Sequence, residues 1–91
     1  MKITGIKEVS LRRFERESDC LAKYDITFDD QLMVHNVIVK RLNGKLIIQF
    51  PAYRTADGYR NYCRPITKSF GEHVKAKILA YFEENKRNEG N

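Results

Sequence analysis

Residues 32–50 read LMVHNVIVKRLNGKLIIQF and predict a central β-hairpin. Two runs rich in β-branched and other apolar residues flank Asn43-Gly44. Asn-Gly favours a type I′ turn, because both central residues of that turn need positive φ. We therefore predict strands over residues 32–42 and 45–50. Pro51 ends the second strand, because proline has no backbone N–H to donate.

Shorter strand patterns flank this hairpin. Residues 3–14 predict a first strand, and residues 20–28 alternate apolar and polar side chains as in a half-buried strand. Asp29-Asp30 is the turn that ends the second of these strands. After a turn at Asp57-Gly58, residues 59–64 predict a fifth short strand.

The apolar period becomes helical in the last third of the chain, at Phe70, Val74, Ile78 and Phe82. Ser69 and Glu72 fit a capping box, so we predict a helix over about residues 70–85. A polar, frayed tail is expected over residues 86–91. The predicted fold is α+β: a mainly antiparallel five-stranded sheet followed by one C-terminal helix, in a single domain over residues 1–85.

The central strand is predicted to be apolar on both faces. Regular alternation would place one set on one face, Met33, Val37 and Val39, and another set on the opposite face, Leu32, Val34 and Ile38. One amphipathic helix covers only one face of a sheet. In so short a chain, a second copy is the simplest cover for the other face, so the sequence predicts a homodimer.

Composition favours a polyanionic partner. The 91 residues carry 17 Lys and Arg against 12 Asp and Glu, a formal net charge of +5. Such a balance suits nucleic acid or an anionic membrane surface. The sequence shows no signal peptide and no membrane-spanning run. Cys20 and Cys63 match no metal or redox spacing, so we expect free thiols in a cytoplasmic protein without a membrane partner.

The stretch YRTADGYRNYCRPITK, residues 53–68, is the main candidate for a binding site. It interleaves three of the five tyrosines with four cations and a single acid. Cations offset phosphate charge, and aromatic rings offer stacking faces to bases. The alternative is a surface hairpin with a polar outer face, in which the tyrosines belong to the core.

Seven residues are candidate nucleic-acid contacts: Arg54, Tyr53, Arg60, Arg64, Lys68, Lys40 and Arg41. Arg60, Tyr62 and Arg64 should share one strand face, as a cation–aromatic–cation row. The same row would also suit packing against the helix or a dimer mate through its aliphatic stems. Lys68 lies just before the helix N-terminus, where backbone donors favour an anion. The cations of residues 40–41 precede the Asn43-Gly44 turn.

The histidines, cysteines and turn aspartates predict neither a metal site nor a catalytic site. Structural zinc sites usually contain close ligand pairs, which are lacking among Cys20, Cys63, His35 and His73. Asp29 and Asp30 look like a turn, and no nucleophile with an orienting partner is evident. We therefore expect a protein that is not an enzyme and has no cofactor, metal or small-molecule substrate.

The order of short motifs resembles a bacterial family. These motifs are Val9-Ser-Leu-Arg-Arg13, Ile26-Thr-Phe-Asp29, Met33-Val-His-Asn-Val-Ile-Val39, Phe50-Pro-Ala-Tyr-Arg-Thr55, Asp57-Gly58 and Arg64-Pro-Ile66. Over about residues 3–84 the chain resembles the stage V sporulation protein G (SpoVG) family of septation and sporulation regulators. The resemblance implies a small dimeric domain without catalytic residues. It also implies DNA and RNA binding that affects gene expression, cell division and sporulation.

The chain departs from the family's basic segment. The family typically has Met-Pro-Ser, two basic residues and Thr-Pro-Asp-Gly after the fourth strand, and the basic positions are its expected nucleic-acid contacts. Here Phe50 stands for Met, Tyr53 replaces the first basic residue and Arg54 keeps the second. Arg60 and Arg64 are the positions that would restore the lost charge. The alternative function is a protein–protein interaction module that docks an acidic partner through its basic face or an edge strand.

Overall fold

A four-stranded antiparallel sheet and one long helix dominate the structure, a computed structural model that describes residues 1–16 and 19–89. The sheet order follows the chain: β1 (Ile3–Val9), β2 (Cys20–Phe28), β3 (Leu32–Leu42) and β4 (Lys45–Gln49). A short helix lies between β1 and β2, α1 (Arg13–Arg16). The remaining elements are a separate hairpin, β5 (Ala52–Thr55) with β6 (Gly58–Asn61), and then α2 (Lys68–Glu89). The predicted α+β class is confirmed.

The described chain contains six strands in two sheets, whereas the sequence predicted five strands in one. The missed strand is β5, which follows Pro51 directly and pairs with β6 across a two-residue turn. β6 ends at Asn61, so the strand predicted over residues 59–64 is too long. The hairpin lies outside the main sheet because β4 ends before Pro51.

Two predicted turns form as expected and have left-handed backbone. Asn43 and Gly44 have φ of 52° and 81°, which is the type I′ geometry between β3 and β4. Asp29 and Asp30 also have positive φ and lie between β2 and β3. The Asp29 carboxylate accepts the N–H of Lys2 at 2.7 Å. These aspartates are therefore turn residues that also hold the start of β1.

A β-bulge interrupts the pairing of β2 with β3. The register shifts at Asp25, which faces both His35 and Asn36. Asn36 has φ of 61°, and its N–H donates to Asp25 Oδ1 at 3.2 Å. Asp25 Oδ2 lies 3.1 Å from Nδ1 of the exposed His35. One carboxylate from the neighbouring strand thus contacts both residues of the bulge.

The bulge changes which residues of β3 face the core. Because the strand contains one extra residue there, Val34 lies on the same side as the buried Val37 and Val39. The prediction that Val34 lies opposite those two valines is therefore wrong, since it assumed regular alternation. Met33 and Ile38 share the opposite face, so the second apolar face is smaller than predicted.

Helix α2 packs on the core face of the sheet. Its buried stripe consists of Val74, Ile78 and Phe82, which contact a set of buried strand residues, Ala22, Tyr24, Ile26, Phe28, Val37 and Val39. Burying each large apolar side chain contributes roughly 1.5–3 kcal/mol. Two aromatic contacts add to this packing, Tyr24 with Tyr81 and Phe28 with Phe70.

Both ends of α2 differ from the prediction. The N-terminal cap is Thr67, whose hydroxyl accepts the Phe70 N–H at 3.3 Å, and not Ser69. The C-terminal end lies at Glu89 rather than near residue 85. Residues 90–91 of the predicted frayed tail lie outside the described residues, and fraying stays a prediction. Neither described helix is long and apolar enough to cross a membrane.

The first strand is shorter than predicted, because a local turn forms after Val9. Glu15 accepts the backbone N–H of Arg12 at 2.9 Å and contacts the Lys23 ammonium at 3.0 Å. These two partners hold the pKa of Glu15 below its ordinary value of 4.5, the Arg12 N–H having the larger effect. Lys23, which alternation predicted to be solvent-facing, is therefore buried beside α1.

Candidate nucleic-acid interface

The β5–β6 hairpin is fixed by its turn. Thr55 pairs with Gly58 across the two residues Ala56 and Asp57. The Thr55 hydroxyl donates to the Gly58 carbonyl at 2.8 Å and accepts the Asp57 N–H at 3.3 Å. Gly58 has φ of 121°, a conformation that favours glycine. The register of every pair in this hairpin follows from this turn.

The register places aromatic and basic side chains on both faces of the hairpin. Tyr53 pairs with Arg60, and Arg54 pairs with Tyr59. Directly opposed residues share a face, and successive residues alternate between faces. We call the side with Arg54 and Tyr59 the Arg54 face, and the other side the Tyr53 face.

Tyr62 extends the Tyr53 face beyond the end of β6. Its N–H donates to the Pro51 carbonyl at 2.8 Å, so the pairing continues one residue further. Its ring centroid lies 4.8 Å from that of Tyr53, with the ring planes at 45°. The Tyr53 face therefore consists of Tyr53, Arg60 and Tyr62.

All three tyrosines of the hairpin are exposed, which answers a question that the sequence left open. The exposed fraction is 41% for Tyr53, 75% for Tyr59 and 72% for Tyr62. These rings therefore do not belong to the core. They are available to a ligand that recognises aromatic faces.

The Arg54 face adjoins the sheet surface opposite α2. A groove of about 410 Å³ lies between them, lined by Lys40, Gln49, Ala52, Tyr59 and Asn61. Lys40 also donates to the Gln49 side chain at 3.2 Å. Lys40 thus lines the same groove as the hairpin residue Tyr59, which was not among the predicted contacts.

The other basic candidates lie elsewhere. Arg41 follows Lys40 in β3 and points to the helix side, where it pairs with Leu46. Arg64 does not continue the predicted row of Arg60 and Tyr62, because the chain bends after β6. It lines a small apolar cavity of about 110 Å³ next to Cys63. Lys68 is the exposed first residue of α2.

Cysteine, histidine and acidic side chains are the residues that could form a metal site. Cys63 is exposed, Cys20 is half-buried, and both are free thiols. Within residues 1–16 and 19–89, no group of three or more His, Cys, Asp or Glu side chains is arranged to hold a metal ion.

The sequence of this chain is similar to that of a known protein family. The family model SpoVG matches residues 1–84. The chain belongs to the SpoVG family. The resemblance found in the sequence motifs is thereby confirmed.

Three relatives in the SpoVG family show how far the similarity extends. Each is named septation protein SpoVG. The relative from Borrelia hermsii is 36% identical over 86 residues, covering 89% of this chain and 90% of its own length. The one from Treponema denticola is 34% identical, with coverages of 86% and 85%. The one from Clostridium acetobutylicum is 31% identical, with coverages of 92% and 90%.

The hairpin register is the feature of this SpoVG family member that sequence reasoning missed. The Asp57-Gly58 turn was predicted, but no strand was predicted over residues 52–55. A two-residue loop closed by Thr55 and Gly58 would have predicted the pairs on either side of it. Tyr59 and Arg54 would then have been identified as partners.

Proposed function

We propose that this SpoVG family member is a dimeric, non-enzymatic regulator of septation that binds DNA or RNA through the β5–β6 hairpin. The observation that carries the proposal is the pairing of a cation with an exposed tyrosine on each face of the hairpin. The relatives' shared name supports the link to septation. Effects on gene expression, sporulation and cell division, and a cytoplasmic location, are part of the same proposal.

Phosphate contacts would supply most of the affinity. The candidate cations on the hairpin and beside its groove are exposed or half-buried: Lys40, Arg54 and Arg60. The chain as a whole carries a net charge of +5, which favours encounter with a polyanion. Each phosphate contact on a duplex contributes about −0.9 to the slope of log affinity against log salt concentration. A dimer with two to four contacts per copy should therefore show a slope of roughly −4 to −7.

Dimerisation would cover the sheet face opposite α2. Met33 is 48% exposed on that face, and Ile38 and Ile47 are half-buried there. These apolar residues stand among polar partners, since Ile38 pairs with Gln49 and Ile47 with Lys40. A second copy would remove this apolar surface from water and double the number of hairpins. Light scattering at micromolar concentration should report a dimer, and a monomer would contradict this part of the proposal.

A charge reversal tests the nucleic-acid interface. Arg54→Glu and Lys77→Glu change the net charge equally, but Lys77 lies on the exposed surface of α2. Affinities of both variants are measured for a duplex, a single strand and an RNA hairpin over a salt titration. We expect Arg54→Glu to weaken binding roughly tenfold or more, and Lys77→Glu about twofold or less.

The outcomes of this titration separate the function from the site. If the wild-type protein binds none of the three nucleic acids at low salt, the proposed function is wrong. If both charge reversals weaken binding equally, the function stands but Arg54 is not a specific contact.

An acidic protein partner is the second candidate, favoured by the free edge of the sheet. Among the described strands, β4 pairs with β3 alone and is one edge of the order β1–β2–β3–β4. An extended acidic segment would add a strand there. Protection of the β4 amides from hydrogen exchange on binding an acidic peptide would favour this function, and unchanged exchange would exclude it.

A further inference from the structure

We propose that the Tyr53 face selects unpaired bases, so that this protein prefers single-stranded nucleic acid to a duplex of the same sequence. This inference rests on the proposed function and names its ligand class. It concerns Tyr53, Arg60 and Tyr62, which the hairpin register places together.

Two rings on the Tyr53 face touch each other and yet remain exposed. Tyr53 and Tyr62 have ring centroids 4.8 Å apart, yet Tyr62 remains 72% exposed and Tyr53 41% exposed. The contact orients both rings, while a large part of each stays open to solvent. Stacking of a base on such a ring strengthens binding from about fivefold to more than a hundredfold per base.

Single strands and duplexes differ in whether they can use these rings. In a duplex, each base is stacked between its neighbours, and a protein in a groove reaches base edges rather than ring faces. Unpaired bases can turn out and stack on tyrosine, because every base has an aromatic face. An exposed tyrosine pair therefore gains a contact from a single strand that an intact duplex does not offer.

The hairpin that carries the rings is held in place before a ligand binds. The turn at Thr55 is closed by two hydrogen bonds, and the Tyr62 N–H is bonded to the Pro51 carbonyl. Both ends of the hairpin are thus fixed, and ordering of the rings on binding loses less entropy.

A cation lies next to the rings of the Tyr53 face. Arg60 lies directly opposite Tyr53 on the same face, so a base stacked there has a guanidinium beside it for its phosphate or for planar stacking. Arg54 lies on the other face with Tyr59, near Lys40. Each face therefore carries a cation beside a tyrosine, and the Tyr53 face adds a second ring in contact with the first.

The experiment compares single-stranded and duplex probes of equal length. The single strands are an oligothymidylate and an oligouridylate, because the stacking chemistry is common to DNA and RNA. The variants are Tyr53→Leu/Tyr62→Leu and the ring-retaining control Tyr53→Phe/Tyr62→Phe. Both positions are exposed, so the fold should be retained, and circular dichroism checks this.

We expect the wild-type protein to bind at least one single strand more tightly than the duplex at the same salt concentration. The Leu double variant should lose roughly tenfold or more of its single-strand affinity and about twofold or less of its duplex affinity. The Phe double variant should retain both affinities. The chain contains no tryptophan, so quenching of tyrosine emission by the single strand provides a second readout.

Three results would overturn the proposal while leaving nucleic-acid binding intact. They are equal wild-type affinity for single strands and duplex, equal loss of both affinities in the Leu double variant, and loss of single-strand affinity in the Phe double variant. Wild-type protein that binds no probe at low salt would instead remove the proposed function and this inference with it.

Discussion

Replacing Asn36 with valine tests the bulge that determines which face of β3 is buried. Asn36 has φ of 61° and is exposed, so the substitution changes the backbone preference without changing a buried contact. A left-handed conformation disfavours a residue with a Cβ atom by about 1–2 kcal/mol, and a β-branched residue by more than asparagine. We expect Asn36→Val to lower the free energy of unfolding by about 1–3 kcal/mol. For a domain of this size, the melting temperature should fall by roughly 5–15 °C.

Asn36→Gly is the matched control, because glycine adopts positive φ without a Cβ clash. Its free energy of unfolding should stay within about 1 kcal/mol of the wild-type value. Urea denaturation is followed by circular dichroism at one fixed protein concentration, since the stability of a dimer depends on concentration. A valine variant as stable as the wild type, together with a less stable glycine variant, would refute this account of the bulge.

Three further changes are expected to have measurable effects. Ile78→Ala removes a fully buried side chain from α2 and should lower the free energy of unfolding by about 2–5 kcal/mol in urea denaturation. A substitution at an exposed position of the helix should change that free energy by about 0.5 kcal/mol or less. The lowered pKa of Glu15 means that its contacts with Arg12 and Lys23 stabilise the fold above pH 4.5 and lose this effect as the pH falls through the lowered pKa. Glu15→Gln should therefore reduce the fall of the urea midpoint as the pH is lowered. A variant whose midpoint falls with pH as much as that of the wild type would contradict this. Cys63 is exposed, so a thiol reagent should modify it first, and Cys63→Ser should remove the fast phase of labelling.

Local signals predicted the parts of the fold that depend on single residues. Asn43-Gly44 predicted its turn because the required positive φ excludes most other residue pairs. The period of α2 was recognised because its core stripe repeats over several turns. The bulge at Asn36 was not predicted, because the alternation of apolar and polar residues carries no signal for one extra residue. The N–H of that extra residue donates a hydrogen bond to a side chain of another strand. That partner, Asp25, is identified only once the register of β2 against β3 is known.

The candidate site was predicted in composition but not in arrangement. Exposure of the tyrosines depends on where the hairpin lies, and this follows from the end of β4 before Pro51. Arg54 and Arg60 were grouped because they are close in sequence. The turn between them places them on opposite faces, because Arg54 pairs with Tyr59 and Arg60 with Tyr53.

This pairing also explains how the chain can depart from the SpoVG pattern and keep charge at its hairpin. According to the motif resemblance, Tyr53 stands where the family has the first of two basic residues, which by itself would leave the Tyr53 face without a cation from β5. Arg60 lies directly opposite Tyr53, within the roughly 5 Å that separates paired side chains on one face. The positive charge is therefore present on the same face, supplied by β6. The exchange thus adds an aromatic ring without removing the charge.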